Sequence, residues 1–367
     1  KNSVDSDFGS VLAFTTPMAP KVKTSATTDV TSSSATLNGG GVPNGASTTG
    51  YFRYSKTNPV ICDDSFGTRA PAAGGEPLGS GYSAVAYSVK VTGLAPKTTY
   101  YFCAIANNSE GTGFGDVDKF TTDGPPTTTS SPATDVKSSS ATLNGSAVPN
   151  GASTYAFFRY DTINPGTCSD GFGTRLPASS GSDTLLGSGA SDVPFTRALT
   201  GLTPGTDYYF CAAARNSYGT TFGAVESFTT DATAPTAVTT AATSLTGTTA
   251  QLNGSANPNG AVTLGWFRYS DVDPGTCDSA FGTRAPVTGG SDLGDGNSPV
   301  AFSEAITGLS PGTTYYYCAL AKNSVDSDFG SVLAFTTPMA PKVKTSATTD
   351  VTSSSATLNG GGVPNGA

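Results

Sequence analysis

The chain has 367 residues, a formal net charge of −8, only 13% charged residues, 45 glycines, 24 prolines, six cysteines and no histidine. The acidic balance argues against a nucleic acid or an acidic membrane surface as partner, since both need a basic footprint to release counterions or meet lipid head groups. Without histidine there is no Ser/His or Cys/His pair for nucleophilic catalysis and no usual zinc ligand set, and no apolar run reaches the roughly 18 residues of a membrane span.

From the amino end, Lys1–Thr16 closes on FTT at Phe14, and the tripeptide returns at Phe120, Phe228 and Phe335, at intervals of 106, 108 and 107 residues. A period of that length is a domain, not a solenoid coil. The chain therefore divides into the closing strand of a preceding domain over 1–17, with the strand itself near Val11–Thr16. Three beads follow over 18–123, 124–231 and 232–338, and then the opening strands of a next domain over 339–367. Residues Lys1–Ala46 and Lys322–Ala367 are identical, whereas equivalent linkers inside this window differ. The expected repeat is thus a block of three distinct beads in a longer continuous array, in preference to a protomer whose two ends complete one another.

In the first bead, Lys21–Val30 reads as a Ser/Thr-rich edge strand, and SSATLNG from Ser33 as its neighbour, with Ala35 and Leu37 on one face. Asn44-Gly45 turns the chain, because glycine accepts positive φ without cost. GYFRYS from Gly50 comes next, then a long segment from Lys56 to about Ala84, then AYSVKVTGL, YYFCAIANN over Tyr100–Asn108, a hairpin at Asn108–Gly111, and GDVDKFTT. The later beads repeat this with AFFRYD from Ala156 and GWFRYS from Gly265, and with YYFCAAARN at Tyr208 and YYYCALAKN at Tyr315. Seven short strands with Gly/Pro turns and alternating faces predict an all-β Greek-key sandwich of about 107 residues per bead.

The cysteines fall two to a bead, Cys62 with Cys103, Cys168 with Cys211 and Cys277 with Cys318, at spacings of 41, 43 and 41. Without CxxC pairs they read as one disulfide per bead, formed in an oxidising compartment. In the chain-entropy model a loop of this length contributes about 4 kcal/mol to a small domain.

Leu94, Pro96, Thr98, Tyr100, Phe102, Ala104 and Ala106 form a pattern that resembles the corner and sixth strand of fibronectin type III domains, and it recurs in all three beads. The resemblance implies that the tyrosine six residues after the leucine points inward, and that the beads act as spacers or recognition modules. This sequence departs from the family in lacking the usual tryptophan of the second strand, in its cysteines and in its long central connection.

If Tyr100, Phe102 and Ala104 face the core, alternation puts Tyr101, Cys103 and Ile105 on the outside, so a bond to Cys62 straps the long segment across the outer face of the sheet. That segment carries FGTRAP at Phe66, FGTRLP at Phe172 and FGTRAP at Phe281, so that Phe66, Phe172, Phe281, Arg69, Arg175 and Arg284 are expected to pack back onto outward aromatics. The strap is either a lid that stabilises its bead or a contact surface toward another strand or a ligand. Trp266 stands where the other beads have Tyr51 and Phe157, and could stack on sugar or simply pack in the sheet. Arg53, Arg159 and Arg268, two residues on, are expected to join a cation-aromatic ladder on that face. Asp63-Asp64 and Asp326 with Asp328 lie in turn-like stretches and read as solvated loops or Asx turns instead of acid/base or calcium sites. Sequons stand at Asn107, Asn144 and Asn253.

The expectation is a structural, non-enzymatic, cofactor-free protein of the extracellular space or cell surface, a bacterial fibre, stalk or matrix thread. Its partners would be copies of itself along the array and side by side. The alternative is an adhesin or carbohydrate-binding stalk that uses the outward aromatics, with a glycan as partner.

Overall fold

The computed structural model describes residues 10–363. Apart from one 3-10 turn at Ser180–Ser182, its regular structure is all β. The first bead has nine strands: β1 Lys21–Thr28, β2 Ser34–Val42, β3 Thr48–Ser55, β4 Thr68–Ala70, β5 Glu76–Gly79, β6 Val85–Thr92, β7 Thr99–Asn108, β8 Gly111–Phe114 and β9 Asp118–Thr121. They form a three-stranded sheet in the order β1-β2-β6 and a six-stranded sheet in the order β4-β3-β7-β8, with β5 beside β3 and β9 beside β7. All pairings are antiparallel. The two later beads repeat the arrangement. The two strands beyond the seven expected lie inside the long segment, which folds back along β3 with Phe52 opposite Ala70 and Tyr54 opposite Thr68.

Alternation sends one face of each sheet into a common core. Ala35, Leu37, Phe52, Phe102, Ala104 and Ala106 are each fully buried there. Phe52 meets Tyr87 across the gap between the sheets at 5.0 Å, and Tyr100 stacks at 5.7 Å on Phe120, its partner on the neighbouring strand, separations at which aromatic pairs attract. The corner is built around the inward tyrosine, whose hydroxyl accepts from the backbone N–H five residues upstream: Ala95 to Tyr100 at 2.9 Å, Thr203 to Tyr208 at 3.1 Å and Ser310 to Tyr315 at 3.0 Å. The FTT signature has its own cause. The second threonine is buried, and in the first bead Thr122 Oγ1 accepts from Thr98 N at 3.0 Å while donating to Ala95 O at 2.6 Å, tying β9 to the corner. Thr230 and Thr337 do the same.

The expected closing strand at Val11–Thr16 does not form: residues 10–20 have no strand, and Phe14 is 89% exposed. The same residues at Leu333–Thr336 are a strand because Tyr315 and its neighbours lie alongside to pair with them. The carboxyl-terminal repeat forms the opening hairpin, Lys342–Thr349 with Thr357–Val363, as a two-stranded sheet by itself.

Candidate functional site

Two features recur bead by bead and are candidates for function: the strapped outer face of the larger sheet and the joints between beads. On the outer face, Cys62 is bonded to Cys103, Cys168 to Cys211 and Cys277 to Cys318, with Cα–Cα separations of 6.1, 6.4 and 6.1 Å. The bond creates a second, smaller core separate from the first, in which Tyr51, Cys62, Cys103 and Ile105 are buried and Phe66 and Val117 pack against them. Phe172 is buried likewise, and Phe281 half-buried.

Each strap arginine lies over the ring that β3 or its equivalent presents. The guanidinium of Arg69 is 3.9 Å from the Tyr51 ring centre, Arg175 4.0 Å from Phe157 and Arg284 4.8 Å from Trp266. A planar cation over a ring face gains from the ring quadrupole and excludes water from it. Each of these arginines also donates through Nη1 to a proline carbonyl at 2.6 Å, that of Pro71, Pro177 or Pro286. Their Nη2 groups differ in partner: Gly74 O for Arg69 and Gly289 O for Arg284, but the Asp183 carboxylate at 2.6 and 2.7 Å for Arg175. The Asp183 side chain is completely buried and also holds Arg215, itself 41% exposed, so the second strap is fastened by an ion triad around one buried carboxylate where the others use backbone. Burial lowers the Arg284 guanidinium, and the nearby Arg268 charge adds to this. Burial, followed by a hydrogen bond with Asp64, pushes the Tyr51 hydroxyl up to about 12.

The expected ladder through Arg53, Arg159 and Arg268 is corrected by this geometry. Those arginines donate Nη1 to strap carbonyls, Phe66 O at 3.2 Å, Phe172 O at 3.1 Å and Phe281 O at 3.1 Å, and leave the rings to the strap arginines opposite them. Like charges on directly opposed residues of paired strands repel over one ring face, so one set stacks and the other clamps the loop. The rings themselves are no open platform, with Tyr51 and Phe157 each 3% exposed and Trp266 half-buried beneath Arg284.

The aspartates act as turn-makers. Asp63 Oδ1 accepts from Ser65 N at 2.7 Å, Ser65 Oγ at 2.7 Å and Phe66 N at 2.9 Å, and those bonds, the Ser65 side chain's first, hold its carboxyl below the ordinary 3.8. Asp278 is lowered in the same way by Ala280 N and Phe281 N. Asp328 Oδ2 accepts from Ala237 N at 2.7 Å, closing β-structure at the start of the third bead. Two sequon asparagines, Asn144 and Asn253, spend their side-chain amides on Pro132 O and Ala241 O, at 2.8 and 2.9 Å.

The joints were not anticipated as a bonded structure. The asparagine of the VPNG turn and the one ending the YYFC strand both donate to the incoming linker. Asn44 and Asn108 bind Ala19 O and Met18 O at 2.8 and 2.9 Å, Asn150 and Asn216 bind Pro125 O and Gly124 O at 2.7 and 2.9 Å, and Asn259 and Asn323 bind Ala234 O and Thr233 O at 2.7 and 2.8 Å. Between the first two beads the linker is also held from both sides. Lys97 N donates back to Asp123 O at 3.3 Å, while Gly124 N donates forward to Asn150 O at 3.0 Å. Direct contacts add to this, Lys97 Nζ to Thr127 Oγ1 at 2.7 Å and Tyr218 Oη to Asp123 Oδ2 at 3.3 Å. Burial in the joint pushes the Asp123 carboxyl up, opposed by the Tyr218 hydrogen bond. At the second joint Gly205 and Gly260 touch so closely that a Cβ on the former would stand 2.3 Å from the latter's Cα, so that the beads meet backbone to backbone.

The strand order, the tyrosine corner and the one disulfide per bead define a tandem array of fibronectin type III-like β-sandwiches. Among solved structures, the chain is similar to the crystal structure of the chicken CNTN1 FN1–FN3 domains, at 16% identity over 88% of this chain and 99% of that one, with a TM-score of 0.29. No family model and no curated protein matches the chain. Among the described residues no helix is long and apolar enough to cross a membrane.

Proposed function

We propose that the protein is structural, and that its beads form a stiff covalent thread in an extracellular filament, stalk or matrix. The observation that carries this reading is the joint: each of the three linkers that enter a complete bead is fastened to that bead by the same two asparagine amides. A linker with its carbonyls bonded on both flanks bends little, and prolines at 20, 125 and 126 restrict it further. Tension along the thread passes through the backbone, and each cystine limits how much chain a bead can release. The rings covered by the strap arginines support the lid reading of the strap over its use as a glycan platform.

Negative-stain micrographs of material from the source test the proposal. Threads with a three-bead periodicity are expected. Isolated particles that retain glycan binding would replace the thread by an adhesin.

A further inference from the structure

The tip of the first strap departs from its two counterparts. In the second and third beads the residues before the cysteine are Gly166-Thr167 and Gly275-Thr276, with the glycines at φ 69° and 70°. In the first bead the same turn holds Val60-Ile61, and Val60 sits at φ 66°. The Asx turn is the same in all three: Val60 N donates to Asn58 Oδ1 at 2.9 Å, Gly166 N to Asn164 Oδ1 at 2.8 Å and Gly275 N to Asp273 Oδ1 at 2.8 Å. Among the described non-glycine residues at positive φ, Val60 is the β-branched one, and such residues are genuine outliers there. The strain produces no packing within the bead, since Val60 is 78% and Ile61 73% exposed. A strained turn that displays two aliphatic side chains to solvent calls for a surface that receives them.

The same bead carries such a surface on its opposite face. A groove of about 510 Å³ runs over the outside of the smaller sheet, lined by Lys21, Lys23, Gly40, Val42, Ala84 and Ala86. It exists because Gly40 has no side chain between Lys23 and Ala86, its neighbours on either strand. The later beads put a side chain there, Ser146 between Thr129 and Pro194, and Ser255 between Val238 and Ala301. The charges are complementary. Asp63 and Asp64 follow the aliphatic tip, both exposed although Asp64 also pairs with Arg53 at 3.1 Å, and Lys21 and Lys23 border the groove. One bead in three thus has both departures, on opposite faces.

We propose that the strap tip Val60-Ile61 of one chain docks in the Lys21/Lys23/Gly40 groove of the first bead of a second copy. Tip and groove are different patches, so the contact is heterologous and does not close: each chain offers a free groove on one side and a free tip on the other, and threads associate laterally without limit. Every third bead makes the contact, which keeps neighbouring threads in register. The tail hairpin repeats the lysines and the glycine, at Lys342, Lys344 and Gly361, but lacks the wall that Ala84 and Ala86 provide. The inference builds on the thread reading, yet it fails separately. Loss of lateral association leaves a covalent thread intact, and the micrographs above judge that.

Sedimentation velocity on the full chain, from micromolar to millimolar, tests the docking. Two variants borrow residues that the sister beads already tolerate: V60G/I61T at the tip and Gly40→Ser in the groove. The wild-type chain is expected to form a growing series of oligomers that weakens as salt rises. Each variant alone should associate at least about tenfold more weakly, the scale expected for losing a central anchor. A mixture of the two should recover dimers and stop there, because the V60G/I61T chain keeps its groove and the Gly40→Ser chain its tip. V60G/I61T should melt no lower than wild type, since it removes a strained residue. A wild-type chain that stays monomeric at millimolar concentration overturns the proposal, and so do variants that associate as wild type does.

Discussion

Residues 10–42 and 331–363 have one sequence and two structures. Within the repeat, hydrogen bonds that reach only a few residues are the same in both places. The turn after the first strand has Asp29 at φ 49° and Asp350 at φ 48°, and Asn38 and Asn359 each donate to the alanine carbonyl 12 residues back at 2.9 Å. What differs is everything supplied from far along the chain. Leu37 is fully buried and Leu358 83% exposed, while Phe335 is 8% exposed and Phe14 89%. Turn chemistry and cross-strand pairing therefore make the hairpin, and the remaining strands make the core. A lone two-stranded sheet is marginal in water, whereas nine strands with two cores are a domain.

Paired substitutions sharpen that contrast most. Phe335→Ala should destabilise the third bead by about 4 kcal/mol, and the chemically identical Phe14→Ala should change bead stability by less than about 0.5 kcal/mol. Leu37→Ala and Leu358→Ala should divide in the same way, at about 3 kcal/mol against less than about 0.5. Differential scanning calorimetry checks both pairs, and equal effects within a pair would break the comparison.

The second expected effect extends it to the straps, where similar sequences are fastened differently. Asp183→Ala leaves Arg175 and Arg215 without their shared carboxylate and should cost the second bead about 3 kcal/mol. The other two beads, fastened there through backbone carbonyls, should melt unchanged.

A smaller effect separates the first bead from the second at high pH. Tyr51, raised from 10.0 to about 12, contributes stability that is present below pH 10 and lost as pH rises through about 12. Phe157 occupies that position in the second bead and cannot ionise. The first bead should therefore be the more alkali-sensitive of the two, and Tyr51→Phe should remove part of the difference in a pH-jump melt.

These contrasts also explain what could be read from residues alone. The period, the strands, the tyrosine corner and the outward placement of Cys103 depend on alternation and short-range turns, and they are legible in the sequence. The head segment 10–20 has no strand, and its assignment to a preceding domain depends on partners that short-range pattern cannot supply. The role of Asp183 depends on Arg215, 32 residues away, and no spacing rule links them. The asparagine bonds of the joints span up to 92 residues and look in sequence like ordinary turn and strand-end residues. Val60 did carry a signal, a valine where its sister beads have glycine, and it becomes meaningful once the backbone angle is known.

The central claim is that the thread is a row of beads that fold and yield independently, each locked by its own cystine. Pulling the chain end to end in an atomic force microscope tests it most directly. Three separate unfolding events are expected under oxidising conditions. After reduction each should release roughly 140 Å more, the reach of the 41 to 43 residues that the bonds enclose. A single event for the whole chain, or increments unchanged by reduction, would contradict the account.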